Sequence, residues 1–267
     1  MSRIQILGTL LDASFDGTDL SDKNFDCYHI LKSLMPKQNQ TTIDIPKTSG
    51  LYQSSKKFES NQLTLRGLVD CTSYSDLMTK LQTLSAFLYS DSDKELIPSN
   101  ADDRYYNVQY LDYVIIEERD DYALVDLIFN CNDPFAYDNT PSTDSQTITV
   151  IDTTYTVANG GHYYAFPEIT ITFNQAQTHV YISNSSITDN RFDISKVFLT
   201  NDVLIIDCKN RTITLNGSYS PAGVGDGGNS LAEWIKLATG DNDVVVGTND
   251  ATIDVDVDIS FDKVYLY

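Results

Sequence analysis

Most of the chain alternates apolar and polar residues with a period of two, and one stretch breaks that rhythm. In "NQLTLRGLV", Leu63, Leu65 and Gly67 alternate with Gln62, Thr64 and Arg66, the pattern of a half-buried strand. From Thr41 to Asp70 the pattern predicts strand, loop, strand. "SYSDLMTKLQTLSAFLYS" changes the period: Leu77, Met78, Leu81, Leu84, Ala86, Phe87 and Leu88 recur every three or four residues, with Ser73 and Asp76 placed to cap the start. That is the single helix the sequence predicts. A short strand at 95–97, a longer one near 104–117 and "YALVDLIFN" follow, the last two joined through the acidic "EERDD" at 117–121. "FNCNDPFAYDN", residues 129–139, then stops the pattern. Asn132 and Asp133 favour a turn, and Pro134 lacks the N–H that a sheet ladder requires.

Beyond Tyr137 the chain reads "DNTPSTDSQ", a Pro/Ser/Thr/Asp-rich link without apolar periodicity, and then as strands alone. "QTITVI", "TYTVAN", "PEITITF", "THVYISN", "RFDISKVFL", "DVLIIDC", "RTITLNG", "EWIKLA", "DVVVG" and "ATIDVDVDISF" are short runs separated by turn residues, as in an antiparallel sandwich or barrel. In the last of them Ile253, Val255, Val257, Ile259 and Phe261 face one way. Asp254, Asp256, Asp258, Ser260 and Asp262 face the other, which must look into water. The expected organisation is a mainly β chain with two domains: 1–138, β-rich with one helix, and 139–267, an antiparallel sandwich whose last strand, 251–267, either completes it or returns to the first domain.

A length of 267 residues suits one large β domain or two ordinary ones. Hydrophobic residues make up 41% and charged residues 21%, with 17 Tyr and 11 Phe, so the chain is globular rather than disordered. Its formal net charge of −20 opposes binding to nucleic-acid phosphates. The opening "MSRIQILGTLLDASFDGTDL" lacks a small-residue cleavage site, and no run is long enough to span a bilayer. A soluble protein made in a cytoplasm is the expectation. Cys27, Cys71, Cys131 and Cys208 stand singly without metal-ligand spacing and are expected to be buried free thiols. The Asn-x-Ser/Thr triplets at Asn184, Asn210 and Asn216 are expected by chance in a chain this rich in those residues.

Each motif with chemical potential fails on context. Gly223, Gly225 and Gly228 in "GVGDGG" satisfy G-x-G-x-x-G, with Asp243 twenty residues on, but they follow Pro221 in an all-β region and lack the strand–helix setting of a dinucleotide site. A Gly-rich loop is the better reading. His29, His162 and His179 lie far apart, outside any zinc or general-base context. "NGSYS" lacks the second glycine of a nucleophile elbow, and Glu117-Glu118 is one carboxylate pair among very many. "GDNDVVVGTND" at 240–250 lacks the spacing and terminal Glu of an EF-hand and reads as two turns flanking a strand. No catalytic, cofactor or metal residue is therefore assigned, and no enzyme activity is expected.

Taken in order, "KKFESNQLTLRGLV", the helix "SDLMTKLQTLSAFL", "DDRYYNVQYLDY" and "LVDLIFNCNDPFAY" resemble the N-terminal half of siphophage distal tail proteins. The most specific piece is the closing motif of Phe129, Cys131, Asp133, Pro134, Phe135 and Tyr137. "FPEITITF", "VLIIDCKNRTITLNG" and "EWIKLATGDNDVVV" are similar in outline to that family's galectin-like sandwich, although the Gly-rich loop lacks the usual Pro-Gly before the last strands. The resemblance implies a structural, non-enzymatic protein of the virion. Its β-barrel-like N-terminal domain would form a ring, six copies in the family, stacked on the tail tube protein and joined to the tail-tip or baseplate hub. The galectin-like domain would carry receptor-binding components or meet a host saccharide. It also implies synthesis in the bacterial host cytoplasm, with no membrane partner. DNA would pass through the ring without specific binding, which carboxylates on the channel wall would favour by repelling phosphate.

A second reading is a carbohydrate-binding module for host-surface recognition, because such sandwiches stack sugar rings on aromatic side chains. By residue type its candidates are Tyr163, Tyr164, Tyr219 and Trp234. Packing between strands is the competing role for each.

Overall fold

The computed structural model describes residues 11–31, 35–44, 51–98, 104–219 and 233–266, and divides the chain into two compact units, one running up to Asn139 and the other Thr140–Tyr265. The chain is mainly β with one α-helix among the described residues. The motif "GVGDGG", Pro221 and the first ten residues of the chain lie outside the described residues.

The first unit holds β1 (Ala13–Phe15), β2 (Thr18–Asp19), a 3-10 turn (Leu20–Lys23), β3 (Asp26–Leu31), β4 (Gln38–Asp44), β5 (Leu51–Phe58), β6 (Asn61–Asp70), α1 (Tyr74–Leu88), β7 (Lys94–Pro98), β8 (Arg104–Glu118), β9 (Tyr122–Cys131) and β10 (Ala136–Asp138). Its antiparallel sheet runs β2-β1-β7-β8-β9-β6-β3, with β10 also paired to the start of β8. Where one strand, a loop and another were expected between Thr41 and Asp70, three strands form, and β4 with β5 makes a separate two-stranded sheet.

The alternation in β6 does what its period requires: Leu63, Leu65 and Gly67 face the core. Gly67 has no alternative there, because a Cβ at that position would lie 2.3 Å from Cζ of the fully buried Phe25. In α1, Leu77, Leu81, Leu84 and Leu88 form the buried stripe, whereas Ala86 from the expected set is exposed. Ser73 caps the helix by accepting from the Asp76 backbone N–H at 3.2 Å, and Asp76 Oδ2 accepts from the Thr72 N–H at 2.9 Å. The Asp76 carboxyl is held below its usual range by the Thr72 backbone hydrogen bond and then by Lys80.

The second unit contains β11 (Ser142–Ile148), β12 (Thr153–Asn159), β13 (Glu168–Phe173), β14 (Gln177–Asn184), β15 (Arg191–Phe198), β16 (Val203–Asp207), β17 (Thr212–Leu215), β18 (Ser218–Tyr219), β19 (Gly240–Gly247), β20 (Val255–Phe261) and β21 (Val264–Tyr265). A six-stranded sheet, β11-β20-β13-β16-β17-β18, and a four-stranded sheet, β12-β19-β14-β15, bury their inner faces in an antiparallel sandwich. Phe173 and Phe198, one from each sheet, stack with ring centroids 4.2 Å apart. Ile253, Val255, Val257, Ile259 and Phe261 are all buried, as their alternation predicts, and Asp258 is exposed behind them.

Three readings of this half need correction. β11 begins at Ser142, inside the stretch read as a polar link, because its edge pairing with β20 comes from the backbone and needs no apolar side chains. β19 begins at Gly240, so Asp241, Asn242 and Asp243 are strand residues rather than a turn. "EWIKLA" is not a ladder strand: its only bridge among the described residues joins Leu237 to Ala165.

Candidate assembly surfaces

The 129–139 motif closes the first sheet and organises the base of the β4–β5 hairpin. Phe129 is fully buried against Phe15, with ring centroids 5.9 Å apart, and Cys131 is buried beside it in sequence order, its thiol pushed up to about 12 by burial. After the turn, Tyr137 stacks on Tyr105 at 5.5 Å and its hydroxyl donates to Asp133 Oδ2. Asn132 spans the turn by accepting from Asn130 Nδ2 at 2.7 Å and donating to Asp93 Oδ1 at 3.3 Å. Phe135 packs edge-on against Phe58, the last residue of β5, at 5.3 Å. The Glu59 N–H donates to the Lys37 carbonyl at 2.8 Å, and their side chains pair at 2.9 Å. Every group in the motif thus serves packing or turn geometry.

Beyond that base, the described residues of β4 are not buried. Asn39 to Ile43 are exposed on both sides of β4, with Ile43 49% accessible, and the two strands pair with each other and no further strand among the described residues. The sequence pattern predicts only one strand before β6 and so gives no sign of a separate strand pair.

In the second unit, four buried asparagines do what a neighbouring strand would otherwise do for residues 234–238. Asn190 Nδ2 donates to the Trp234 carbonyl at 3.0 Å and its Oδ1 accepts from the Lys236 N–H at 3.1 Å. Asn184 donates to the Lys236 carbonyl at 2.9 Å, and Asn159 to the Leu237 carbonyl at 3.0 Å. Asn242 accepts from the Ala238 N–H at 2.7 Å and donates to the Ala238 carbonyl at 2.8 Å. All four are at most 2% accessible, so each amide replaces a ladder bond that a buried backbone group would otherwise lack. Asn184 is thereby unavailable as a glycosylation acceptor. The sequence offered little signal, since the four asparagines stand among Gly, Ser, Asp and Arg residues as turn asparagines do.

That segment fixes two of the aromatic candidates. Trp234 is half-buried and packs on Phe192 with centroids 5.0 Å apart, a core role. Tyr164, 42% accessible, contacts Tyr163 edge-on at 5.4 Å, and Lys236 Nζ lies 5.8 Å from its ring centroid. Tyr219 is 67% accessible on β18, the edge strand of the other sheet. Tyr219 and the pair Tyr163–Tyr164 therefore belong to different elements, with no ring contact between them among the described aromatic pairs.

A polar network absent from the sequence reading covers the outer side of the four-stranded sheet. Arg191 donates through Nε and Nη2 to both oxygens of Asp193 at 2.8 Å, and its guanidinium sits 3.7 Å from the centroid of Tyr181. The Tyr181 hydroxyl donates to Asp152, and His179 Nε2 stands 3.3 Å from Asp193 Oδ1. His179 Nδ1 accepts from the Asn249 N–H at 3.2 Å, which places the ring proton on Nε2, facing Asp193. Burial raises the Asp193 carboxyl, yet the Arg191 hydrogen bonds and charge, with His179 behind them, bring it below the usual value. Burial, then the Asp152 bond, pushes the Tyr181 hydroxyl up to about 12. Each donor faces an acceptor, so the cluster holds the sheet surface together.

The other histidines take different environments: His29 is exposed on β3, and His162 meets Tyr265 edge-on at 5.2 Å. All four cysteines are free and buried. Among the described residues no group of three His, Cys, Asp or Glu is arranged to hold a metal ion, and no helix is long and apolar enough to cross a membrane.

Comparison with known proteins finds two family models along the chain. A family model described as a phage tail protein RIFT-related domain matches residues 19–151, and one described as a Siphovirus-type tail component, C-terminal domain, matches residues 160–265. The distal tail protein of Bacillus phage SPP1 is 25% identical over 263 residues, spanning 95% of this chain and 97% of that protein. A crystal structure of SPP1 Dit, described as a paradigm of the hub adsorption apparatus in phages infecting Gram-positive bacteria, superposes with a TM-score of 0.77. It covers 95% of this chain and 99% of the other at 17% identity, a likeness of fold. With two phage tail models lying end to end along it and a full-length distal tail relative, the chain belongs to the siphophage distal tail protein family.

Proposed function

We propose that this protein is a structural, non-enzymatic component of a siphophage tail, assembling as a hexameric ring between the tail tube protein and the tail-tip or baseplate hub. The observation that carries this reading is the end-to-end match to a distal tail protein, over both units and nearly the full length of each chain. In it the first unit builds the ring and the sandwich faces outward, where a receptor-binding component docks. The phage genome crosses the ring without being bound, in keeping with the net charge of −20.

The test is to image purified tails labelled through an epitope on this chain, alongside native mass spectrometry of the recombinant protein. Label at the tail tip and a six-fold ring of this subunit are expected. Label along the tube or a strict monomer in assembled tails would overturn the reading. A ring whose channel wall is neutral or basic would remove the repulsion argument alone.

A further inference from the structure

The chain contains the dipeptide Asn-Gly twice, at Asn159-Gly160 and Asn216-Gly217. Asparagine is a thermolabile residue, most of all before glycine, which has no side chain to shield its backbone nitrogen from the neighbouring amide. The two copies have opposite surroundings. Asn159 is fully buried: Nδ2 donates to the Tyr163 and Leu237 carbonyls at 3.0 Å each, and Oδ1 accepts from the Gly161 N–H at 2.9 Å. Any rearrangement of that amide must first break these bonds inside the core.

Asn216 and Gly217 form the turn between β17 and β18, with φ of 50° and 76°, and both are exposed. Among the described residues, no atom beyond its chain neighbours lies within 4 Å of the place a Cβ on Gly217 would take, so its nitrogen is unshielded. The Asn216 N–H donates to the Val203 carbonyl at 2.8 Å, and its Oδ1 accepts from the Val203 N–H at 2.8 Å. That second bond polarises the side-chain carbonyl and faces the oxygen on which charge collects under attack. Nδ2 donates to Asp202 Oδ1 at 2.8 Å, while Oδ2 of Asp202 accepts from the Leu199 N–H at 2.8 Å. The Asn216 side chain is therefore a latch that ties the β17–β18 turn to the start of β16. Its neutrality matters. The carboxyl it donates to is held below the ordinary range by this bond first and the Leu199 N–H second, with the Lys196 charge behind them.

We propose that Asn216 is a site of spontaneous deamidation in the folded protein, and that the change unlatches the β17–β18 turn from β16. The Gly217 nitrogen, giving its proton to solvent, attacks Asn216 Cγ. A new C–N bond closes a succinimide ring, the Cγ–Nδ2 bond breaks, and the nitrogen leaves as ammonia after taking a proton from water. Water then opens the ring to aspartate or isoaspartate, so the step needs no reactant besides water. In the aspartate product a second carboxylate replaces the donor to Asp202, and like charges face each other at neutral pH. In the isoaspartate product the backbone gains a carbon, which a two-residue hairpin turn does not fit. Asn159 is spared by its burial, so the fold separates two identical dipeptides into one reactive site and one inert one.

The test incubates the full-length chain at mildly alkaline pH, native and in denaturant, and maps aspartate and isoaspartate by peptide mass spectrometry. Native protein should convert at Asn216 and keep Asn159 intact, whereas unfolded chain should convert at both. Asn216→Asp installs the aspartate product directly and should lower the melting temperature by about 4 °C or more at neutral pH. That loss should shrink as pH falls through the carboxyl range near about 4, where the facing carboxylates take up protons. Asn216→Asp combined with Asp202→Asn exchanges donor and acceptor across the latch and should recover most of the loss. Native protein in which Asn216 stays intact while the unfolded chain converts, or in which Asn159 converts first, overturns the assignment of the site. An Asn216→Asp variant that melts like the wild type, or a double variant no better than the single one, overturns the latch.

Discussion

Replacing Asp193 by Asn tests whether the network on the four-stranded sheet holds that face together through charge. The side chain keeps its volume, so no cavity forms, and the change isolates electrostatics. Asp193 is 8% accessible and accepts two hydrogen bonds from Arg191 at 2.8 Å, with His179 Nε2 at 3.3 Å. Hydrogen bonds to a charged group contribute about 1.5–3 kcal/mol when shielded. The Arg191 side chain is 47% accessible, so solvent screening takes the pair toward or below the lower limit. A loss of about 1–2 kcal/mol follows, or roughly 4–8 °C in the melting temperature of a unit this size. The pH dependence gives a second, independent signature. The folded Asp193 carboxyl lies below its unfolded value, so its contribution is complete above the unfolded pKa of about 3.9 and disappears as pH falls through the folded one. Calorimetry of wild type and Asp193→Asn should therefore show a constant gap from pH 7 to pH 5 that closes below about pH 4. A gap under about 0.5 kcal/mol at pH 7, or one that persists unchanged at pH 2.5, would refute the electrostatic account.

Three further outcomes follow from the packing. Gly67→Ala should cost about 1–3 kcal/mol in denaturant unfolding through overpacking against Phe25, and Phe25→Leu in the same chain should recover part of it. Asn242→Ala should cost about 3 kcal/mol, since it strands the Ala238 N–H and carbonyl in a fully buried site; Asn242→Asp should be nearly as harmful, because it keeps the acceptor but loses the donor. Cys131 and Cys208, both with thiols pushed up to about 12 by burial, should resist a thiol reagent at pH 8 in the native protein and react at once in denaturant.

The local readings that succeeded concern side chains whose fate is set within a few residues of themselves. The period of two in β6 and β20, the period near 3.6 in α1 and its Ser73–Asp76 cap all follow from which faces of an element must meet water. The stop at Asn132–Pro134 follows from the chemistry of the peptide bond itself. Two tight turns were also legible, though passed over: Asp16-Gly17 and Asn216-Gly217 adopt positive φ at both positions and close two-residue hairpins.

The failures share one cause, dependence on partners distant in sequence. "EWIKLA" has strand composition, but its backbone is bonded by asparagines from β12, β14, β19 and the turn before β15, contributed from up to 78 residues away. β11 looked like a linker because an edge strand with few buried side chains carries no apolar signature. Trp234 matched a sugar-stacking residue by type, and only its contact with Phe192 shows that it packs inward. The sequence alone thus determined the class of fold, the place of the helix and the family, because these rest on periodicity, turn chemistry and a rare local motif. Tertiary structure decided that β4 and β5 pair with no further strand among the described residues and that Arg191, Asp193, His179 and Tyr181 form one network. Those are relations between segments, and the free energy that sets them is spread over contacts that no single stretch of sequence contains.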